Sequence, residues 1–263
     1  MRKLNPMIIV LAAVLLASAA SGQKPAAAER EIIGYFDNVT KYGSYAGGYD
    51  GDKLDKNNAG MKAALMKYGK RADILSYKFP TLKDRIFLTT SKDGRLRIYS
   101  WDMNTGGTMH NYDNVFQYRG KSGKVYSWTR KGLADEDAGA FFTEIFQADV
   151  PAGPVYLGVS TWIGSTSLTG QTISAYRIDG ERLDTAAKVI KTRSGVTNSV
   201  GFGYDFFSVV DHRERPVRLF YFDDAKKSFR FPVVIEDKRT PQGRVTNKYI
   251  TYRYDGKYFV KVS

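Results

Sequence analysis

The residues best suited to chemistry lie in one stretch, RLRIYSWDMNTGGTMHNYD, between Arg95 and Asp113. A strand ends there in Trp-Asp, and hydroxyl side chains, a double glycine and one of the chain's two histidines follow it. Glycine lets backbone N–H groups approach an acceptor closely, so this set of groups suits an anion or a sugar. The predicted ligand-binding residues are Arg97, Tyr99, Trp101, Asp102, Thr105, Gly106, Gly107, Thr108 and His110.

A structural interpretation of the same stretch stays open beside the functional one. In that interpretation Arg97 is held by Asp102 or another neighbour, Trp101 belongs to the core, and the glycines only permit a turn. The other two tryptophans, Trp128 and Trp162, also end predicted strands. At such a position a large ring can stack on a sugar or close the edge of a core. Each tryptophan therefore has two candidate roles.

Motifs for nucleophilic, metal and cofactor chemistry are absent from the sequence. There is no Gly-x-Ser-x-Gly, no His-Glu-x-x-His, no phosphate-binding loop and no GxGxxG before a helix. The stretch DGDKLDKNNAG, from Asp50 to Gly60, resembles a calcium loop, but its Asp spacing departs from the EF-hand pattern. Helix capping explains this stretch better. The sequence therefore predicts no metal site and no cofactor.

Carboxylates leave one catalytic alternative open, because glycoside hydrolysis needs only two Asp or Glu side chains at a suitable separation. Asp102 is the first residue to test in that alternative. The acidic groups Asp223-Asp224 and Asp135-Glu136-Asp137 have instead the character of surface turns. The lack of motifs favours a protein without catalytic activity, and the question stays open at this point.

The elements that must position the candidate residues are predicted to be strands. Short runs of alternating polarity are separated by turn dipeptides such as Asp93-Gly94 and Asp255-Gly256, which supply the backbone conformations of tight hairpins. The expected fold class is mainly β, with antiparallel hairpins in a propeller-like or sandwich arrangement and one short N-terminal helix. That helix is predicted over about Lys53 to Tyr68 with Asp52 as its N-cap, after an irregular segment from Gly34 to Gly51.

Two hairpin registers follow if each Asp-Gly dipeptide forms a two-residue turn. The pairs expected in the first hairpin are Leu88 with Tyr99, Ile86 with Trp101 and Thr90 with Arg97. The pairs expected in the last hairpin are Tyr252 with Phe259 and Thr251 with Val260. Because both faces of the first hairpin carry apolar side chains, we expect its sheet to be covered on both sides.

The N-terminus carries the pattern of an export signal. Two basic residues precede an apolar stretch from Met7 to Ala20, and small residues follow it, so a cleaved signal peptide is predicted over residues 1–22. Residues 23–30 are predicted to be a flexible tether, and residues 31–263 a single β-rich domain. The protein is expected to be exported, periplasmic or extracellular, and soluble, without a transmembrane helix in the mature chain.

The composition is basic and lacks cysteine. The chain has 40 Lys and Arg against 27 Asp and Glu, a formal net charge of +13, and such a field attracts anionic partners. An anionic glycan or another envelope component is the expected partner. Nucleic acid is not expected, because the sequence lacks an RNP-like or OB-type motif. Without cysteine there are no disulfides, so the fold must rest on its apolar core.

The string IYSWDMNTGGTMH, from Ile98 to His110, resembles uncharacterised bacterial secreted proteins that share an IYSWD-x-x-TGGTMH core behind a short helix. The resemblance extends over roughly Leu54 to Trp128. It implies export and a β-rich fold, and it transfers no activity to any residue. The segment from Ser91 to Asp102 is also similar to the end of a WD-repeat blade, a signature that true propellers repeat about every 40 residues. Later turns lack the Trp-Asp ending, so convergence on a common hairpin explains this match.

Three functions are therefore carried as hypotheses. The first is an exported non-enzymatic binding or envelope-associated module for an anionic or carbohydrate ligand. The second is a carboxylate-dependent glycan hydrolase, and the third is an accessory or assembly protein without a small ligand. A cleft holding two carboxyl groups about 5 to 10 Å apart would favour the hydrolase. A flat basic face without a cleft would favour the binding or the accessory role.

Overall fold

The structure is a computed structural model that describes residues 23–130, 138–238 and 240–262. The predicted signal peptide and the acidic segment from Asp135 to Asp137 lie outside the described residues. The described part begins with three α-helices, α1 (Pro25–Gly43), α2 (Gly51–Tyr68) and α3 (Ala72–Ser76). Strands dominate the remainder, which confirms the prediction of a mainly β fold.

The strands belong to three sheets. In chain order they are β1 (Phe87–Thr90), β2 (Leu96–Asp102), β3 (Tyr112–Arg119), β4 (Val125–Trp128), β5 (Phe141–Ala148), β6 (Val155–Ile163), β7 (Leu168–Asp179), β8 (Arg182–Asp184), β9 (Ile190–Thr192), β10 (Gly195–Thr197), β11 (Ser199–Asp205), β12 (Tyr221–Asp223), β13 (Ser228–Asp237), β14 (Thr240–Tyr254) and β15 (Phe259–Lys261). Sheet 1 has the order β1-β2-β3-β4, and sheet 2 has the order β11-β7-β6-β5 with β8 paired to β7. Sheet 3 has the order β10-β9-β15-β14-β13-β12, and its β15 and β9 run parallel.

These sheets are layered, with sheet 2 between the other two. Helices α1 and α2 cover the outer face of sheet 1, where Met61 and Leu65 pack with Tyr99 and Trp101. The core between sheets 1 and 2 contains Leu96, Ile98, Phe116, Phe142, Tyr156 and Tyr176. The core between sheets 2 and 3 contains Val155, Leu157, Ile173, Phe229, Tyr252 and Phe259. Mostly antiparallel sheets thus pack face to face as in a sandwich, and the expected cover on both sides of sheet 1 is confirmed.

The register predicted for the first hairpin is confirmed. The observed pairs include Leu88 with Tyr99 and Thr90 with Arg97. Ile86 precedes β1 and packs in the same cluster as Trp101. The last hydrogen-bonded pair before the turn is Ser91 with Leu96, where the N–H of Ser91 donates to the carbonyl of Leu96 at 2.8 Å. The turn therefore spans the four residues 92–95 instead of two. One added residue on each side of the turn leaves the register unchanged.

The register predicted for the last hairpin is wrong by two residues. Its observed pairs are Tyr254 with Phe259, Arg253 with Val260 and Tyr252 with Lys261. The side chain of Asp255 accepts from the N–H groups of Lys257 and Tyr258, both at 2.8 Å. An Asp that binds backbone two and three residues ahead builds a longer turn, so the loop runs from Asp255 to Tyr258 instead of closing at Asp255-Gly256.

The predicted tether and the irregular segment after it are corrected by helix α1, which covers residues 25–43. Ala28, Ile32 and Val39 of this helix are almost fully buried. Glu29 is also buried, and its carboxylate accepts from the N–H groups of Thr81 and Leu82. Ala and Glu favour helix, and burial against α2 and the segment before β1 supplies the rest, so charge and small residues here do not mean disorder.

Helix α2 confirms the predicted helix but begins slightly earlier. Asp50, rather than Asp52, is its N-cap, since the Asp50 side chain accepts from the N–H of Lys53 at 3.1 Å. Capping therefore accounts for part of the acidic pattern in this stretch. Among the described residues, no helix is both long and apolar enough to span a membrane.

Candidate functional site

Arg97 is held by the protein itself. It is 4% exposed and donates from Nε to the Thr90 hydroxyl at 2.9 Å. Its Nη1 donates to the carbonyls of Ile74 and Tyr77, at 3.0 and 2.9 Å. The guanidinium thus ties the segment around α3 to sheet 1. The expectation that Arg97 meets a ligand is corrected, because helices cover this face of the sheet.

Tyr99 and Trp101 lie on the same covered face. The Tyr99 hydroxyl donates to Oε1 of Gln117 at 2.7 Å, and burial raises the pKa of Tyr99 to about 12. The indole Nε1 of Trp101 donates to Oδ1 of Asn58 at 3.0 Å, and the side chain is 1% exposed. Both large rings are core groups with satisfied polar atoms. The structural interpretation therefore applies to Arg97, Tyr99 and Trp101 among the nine predicted residues.

Asp102 and His110 close the base of the loop between β2 and β3. Nδ1 of His110 lies 2.5 Å from Oδ2 of Asp102, and Oδ1 of Asp102 accepts from the N–H of Asn104 at 2.8 Å. The two side chains are partly exposed, at 44% for His110 and 26% for Asp102. Burial, together with the Asp102 charge, raises the pKa of the adjacent Tyr112.

The loop between these two residues is exposed and tightly folded. The hydroxyl of Thr105 accepts from Nδ2 of Asn111 at 2.9 Å. A Cβ on Gly106 would lie 1.9 Å from the carbonyl oxygen of Met109, so only glycine fits there. Gly107 and Thr108 are exposed. The structure thus brings Asp102, His110 and the residues between them together at the surface, apart from Arg97.

This loop borders a cleft of about 640 Å³ between sheets 1 and 2. The N–H of His110 donates to the carbonyl of Ile163 at 3.2 Å, which fixes the loop beside the end of β6. Met109, at the loop's end, lines the cleft. The other described lining residues are Lys62, Asp113, Asn114, Phe116, Trp128, Arg130, Ala138, Gly139, Ala140, Phe142, Ser160, Trp162, Ile163, Gly164, Thr172, Tyr176 and Thr185.

Trp162 lines the cleft from the sheet 2 side. It pairs with Gly170 of β7, which in turn pairs with Gly203 of β11. A Cβ at position 170 would lie 2.2 Å from the indole ring. Because neither glycine has a side chain, the surface of sheet 2 is free at these positions. The indole ring of Trp162 packs on it, over the neighbouring strand β7.

Trp128 lines the cleft from the sheet 1 side. Its ring makes an edge contact with Phe116, with centroids 5.2 Å apart, and Phe116 in turn contacts Phe142 and Tyr176 of sheet 2. This aromatic cluster supports Trp128 and is continuous with the core. Two tryptophans from different sheets thus share one cleft.

Polar groups lie on the same walls. Nδ2 of Asn114 donates to the carbonyl of Ala140 at 3.0 Å, while its buried Oδ1 has no hydrogen-bond partner among the described residues. Nζ of Lys62 and Oδ2 of Asp113 form an ion pair of 2.9 Å. Buried polar atoms are nearly always paired, so this enclosed amide oxygen is an exception, while the residue Asn114 itself lines the cleft.

The sequence identified some of the residues that line this cleft and gave no indication of others. It identified Trp128 and Trp162 as rings that could stack on a sugar, but it placed the polar contacts in the glycine loop. Asn114 and Lys62 carried no signal, because one sits inside a strand and the other on a helix face. Gly170 was detectable only as a glycine inside a strand, a position that often marks a close approach.

The described residues contain no cluster of three or more acidic or histidine side chains able to hold a metal ion. The carboxylate on the cleft wall, Asp113, is engaged with Lys62. The chain matches no family model, no curated protein and no solved structure. The function of the protein is therefore inferred from the geometry of the cleft.

Proposed function

We propose that the protein is an exported binding module, periplasmic or extracellular, that holds a carbohydrate in the cleft between sheets 1 and 2 and does not transform it. The observation that carries this proposal is the pair of tryptophans, Trp128 and Trp162, that line one cleft together with polar residues such as Asn114. The export part rests on the N-terminal sequence pattern.

The chemistry of the walls fits a sugar. A sugar ring has apolar C–H faces, which stack on aromatic rings, and hydroxyl edges, which need hydrogen-bond partners. Trp162 and Trp128 offer the ring faces, and Asn114, Ser160 and Thr172 offer polar groups on the same walls. The cleft volume of about 640 Å³ lies within the usual range of ligand pockets, roughly 300 to 1,000 Å³. A short oligosaccharide is the ligand of matching size.

The hydrolase alternative receives less support from the same geometry. It needs two carboxyl groups facing the scissile bond. Asp113 on the cleft wall is paired with Lys62 at 2.9 Å, and Asp102, the residue which that alternative names, contacts His110 and the N–H of Asn104 outside the lining. An accessory protein without a ligand would not explain why two tryptophans line one cleft.

A panel of immobilised bacterial envelope oligosaccharides tests the proposal. We expect the mature protein to bind at least one member, Trp162→Ala to lose that binding, and Asp102→Asn to keep it. Trp162 borders glycines and the open cleft, so its removal is expected to leave the fold intact, which circular dichroism checks.

Two results would contradict the proposal. One is an absence of binding across the whole panel. The other is release of reducing ends from a bound glycan that Asp102→Asn abolishes, since this would support the hydrolase instead.

A further inference from the structure

The outer face of sheet 3 carries a second concave surface, which we call the basic groove, of about 780 Å³. It lies on the far side of sheet 2 from the tryptophan cleft. Its lining residues are Arg218, Tyr221, Phe222, Asp223, Lys226, Ser228, Phe229, Arg230, Thr251, Arg253 and Val262. Four of these carry a positive charge and one a negative charge, so the groove is cationic.

Strand alternation puts the arginines of the groove and their direct neighbours on the outside. Tyr221, Arg230 and Thr251 are direct neighbours across β12, β13 and β14, so they share one face. The residues next to Arg230, such as Phe229, point inward to the core shared with sheet 2. Arg253 pairs with Ser228 and lies on the same outer face, one diagonal step from Arg230.

Aromatic rings hold the arginines in place. The guanidinium carbon of Arg230 lies 4.8 Å from the ring centre of Tyr249 and 5.5 Å from that of Tyr221. That of Arg218 lies 5.5 Å from the Tyr221 ring centre. A guanidinium over a ring face is stabilised there without losing its N–H donors. The groove therefore presents ordered cations rather than freely moving ones.

Two of the four cations are left without a protein carboxylate. Arg218 forms a two-point ion pair with Glu144, and Lys226 lies 3.5 Å from Asp223. Among the side chains that the structure describes, no carboxylate forms an ion pair with Arg230 or Arg253. Arginine binds oxyanions through two parallel N–H donors. These two side chains are therefore available to an external anion.

We propose that the basic groove binds an anionic polysaccharide, with its carboxylate, phosphate or sulfate groups on Arg230 and Arg253. Diagonal neighbours on adjacent strands are about 7 to 8 Å apart, so the two arginines meet separate anionic groups along a chain. The tyrosine rings and the Thr251 hydroxyl suit the sugar backbone between those groups. A groove receives a chain better than it receives a flat membrane surface. This site is separate from the tryptophan cleft and does not depend on it.

Calorimetry with polygalacturonate as the anionic probe and dextran as the neutral one tests this inference. The groove variant is R230Q with R253Q. The control variant, R182Q with R193Q, removes the same charge at two exposed arginines outside the groove lining. Wild type is expected to bind polygalacturonate and not dextran. We expect the groove variant to bind at least about tenfold more weakly and the control to keep the wild-type affinity.

Trp162→Ala is expected to bind polygalacturonate as wild type does, which separates this site from the cleft. Equal weakening in both double variants would overturn the proposal, because diffuse net charge would then explain binding. The same holds if wild type shows no binding to polygalacturonate. Tighter binding to phosphatidylglycerol vesicles, lost in the groove variant, would assign the groove to a membrane surface instead.

Discussion

The indole of Trp162 occupies the space that a side chain at position 170 would take. Three atoms of its ring lie within 2.5 Å of the point where a Cβ on Gly170 would stand. A glycine inside a strand weakens that strand, so this pairing costs stability in β7. In return, an aromatic ring lies across the surface of sheet 2 at the wall of a cleft. A single methyl group added at position 170 therefore tests the position of the Trp162 ring.

Gly170→Ala is expected to displace the indole and to weaken glycan binding by about tenfold, the equivalent of about 1.4 kcal/mol. The overpacked side chain also lowers the free energy of unfolding by about 1 to 3 kcal/mol. Gly107→Ala is the matched control, because nothing lies within 4 Å of its added Cβ. Binding to the glycan panel and chemical denaturation measure both effects. Unchanged binding in a folded Gly170→Ala protein would show that the ring does not contact the ligand.

Arg97→Met is expected to reduce the free energy of unfolding by about 2 to 4 kcal/mol, because buried acceptors lose their donor. Those acceptors are the Thr90 hydroxyl and the carbonyls of Ile74 and Tyr77. Arg182→Met on exposed β8 is the control and is expected to change stability by less than about 0.5 kcal/mol. Chemical denaturation decides the outcome. A stable Arg97→Met protein that loses ligand binding would return Arg97 to the candidate site.

Buried tyrosines are expected to limit stability at alkaline pH. Burial raises the pKa of Tyr99 and of Tyr204 to about 12, and it also raises the pKa of Tyr112, Tyr156 and Tyr176. A group whose pKa is raised by folding contributes its full stability below its unfolded pKa, which is about 10 for tyrosine. That contribution is lost as the pH rises from about 10 to about 12.

Ultraviolet absorbance of the phenolate, followed with circular dichroism, measures this effect. We expect these five tyrosines to titrate together with unfolding rather than before it. Ionisation of all 18 tyrosines in one step near pH 10, with the fold intact, would contradict the burial described for these rings.

The sequence pattern was sufficient to predict the register of a hairpin whose turn is longer by the same number of residues on each strand. The β1–β2 register survived a longer turn because one residue was added on each strand. The β14–β15 register did not, because the Asp255 carboxylate binds backbone N–H groups ahead of it and lengthens the loop. Such a side-chain contact depends on geometry that an Asp-Gly dipeptide does not specify.

Tertiary contacts decided the remaining differences. Residues 23–30, which include the first turns of α1, looked like a tether because they hold no large apolar side chain, yet Ala28 is fully buried in the cluster that α1 forms with α2. In the glycine loop, the sequence predicted that Asp102 and His110 belong to one site, and their side chains are in contact. It could not show that Trp101 faces the helices while Trp162 faces a cleft, because both end strands of similar pattern.

Nuclear magnetic resonance of the indole N–H groups tests the binding cleft most directly. The chain has three tryptophans, so protein labelled with nitrogen-15 tryptophan gives one indole signal for each of them. When an oligosaccharide from the panel is added, the signals of Trp128 and Trp162 are predicted to shift. The signal of Trp101, which is buried and bonded to Asn58, is predicted to stay in place. A bound oligosaccharide that leaves both cleft signals unmoved, or moves Trp101 alone, would contradict the proposed function.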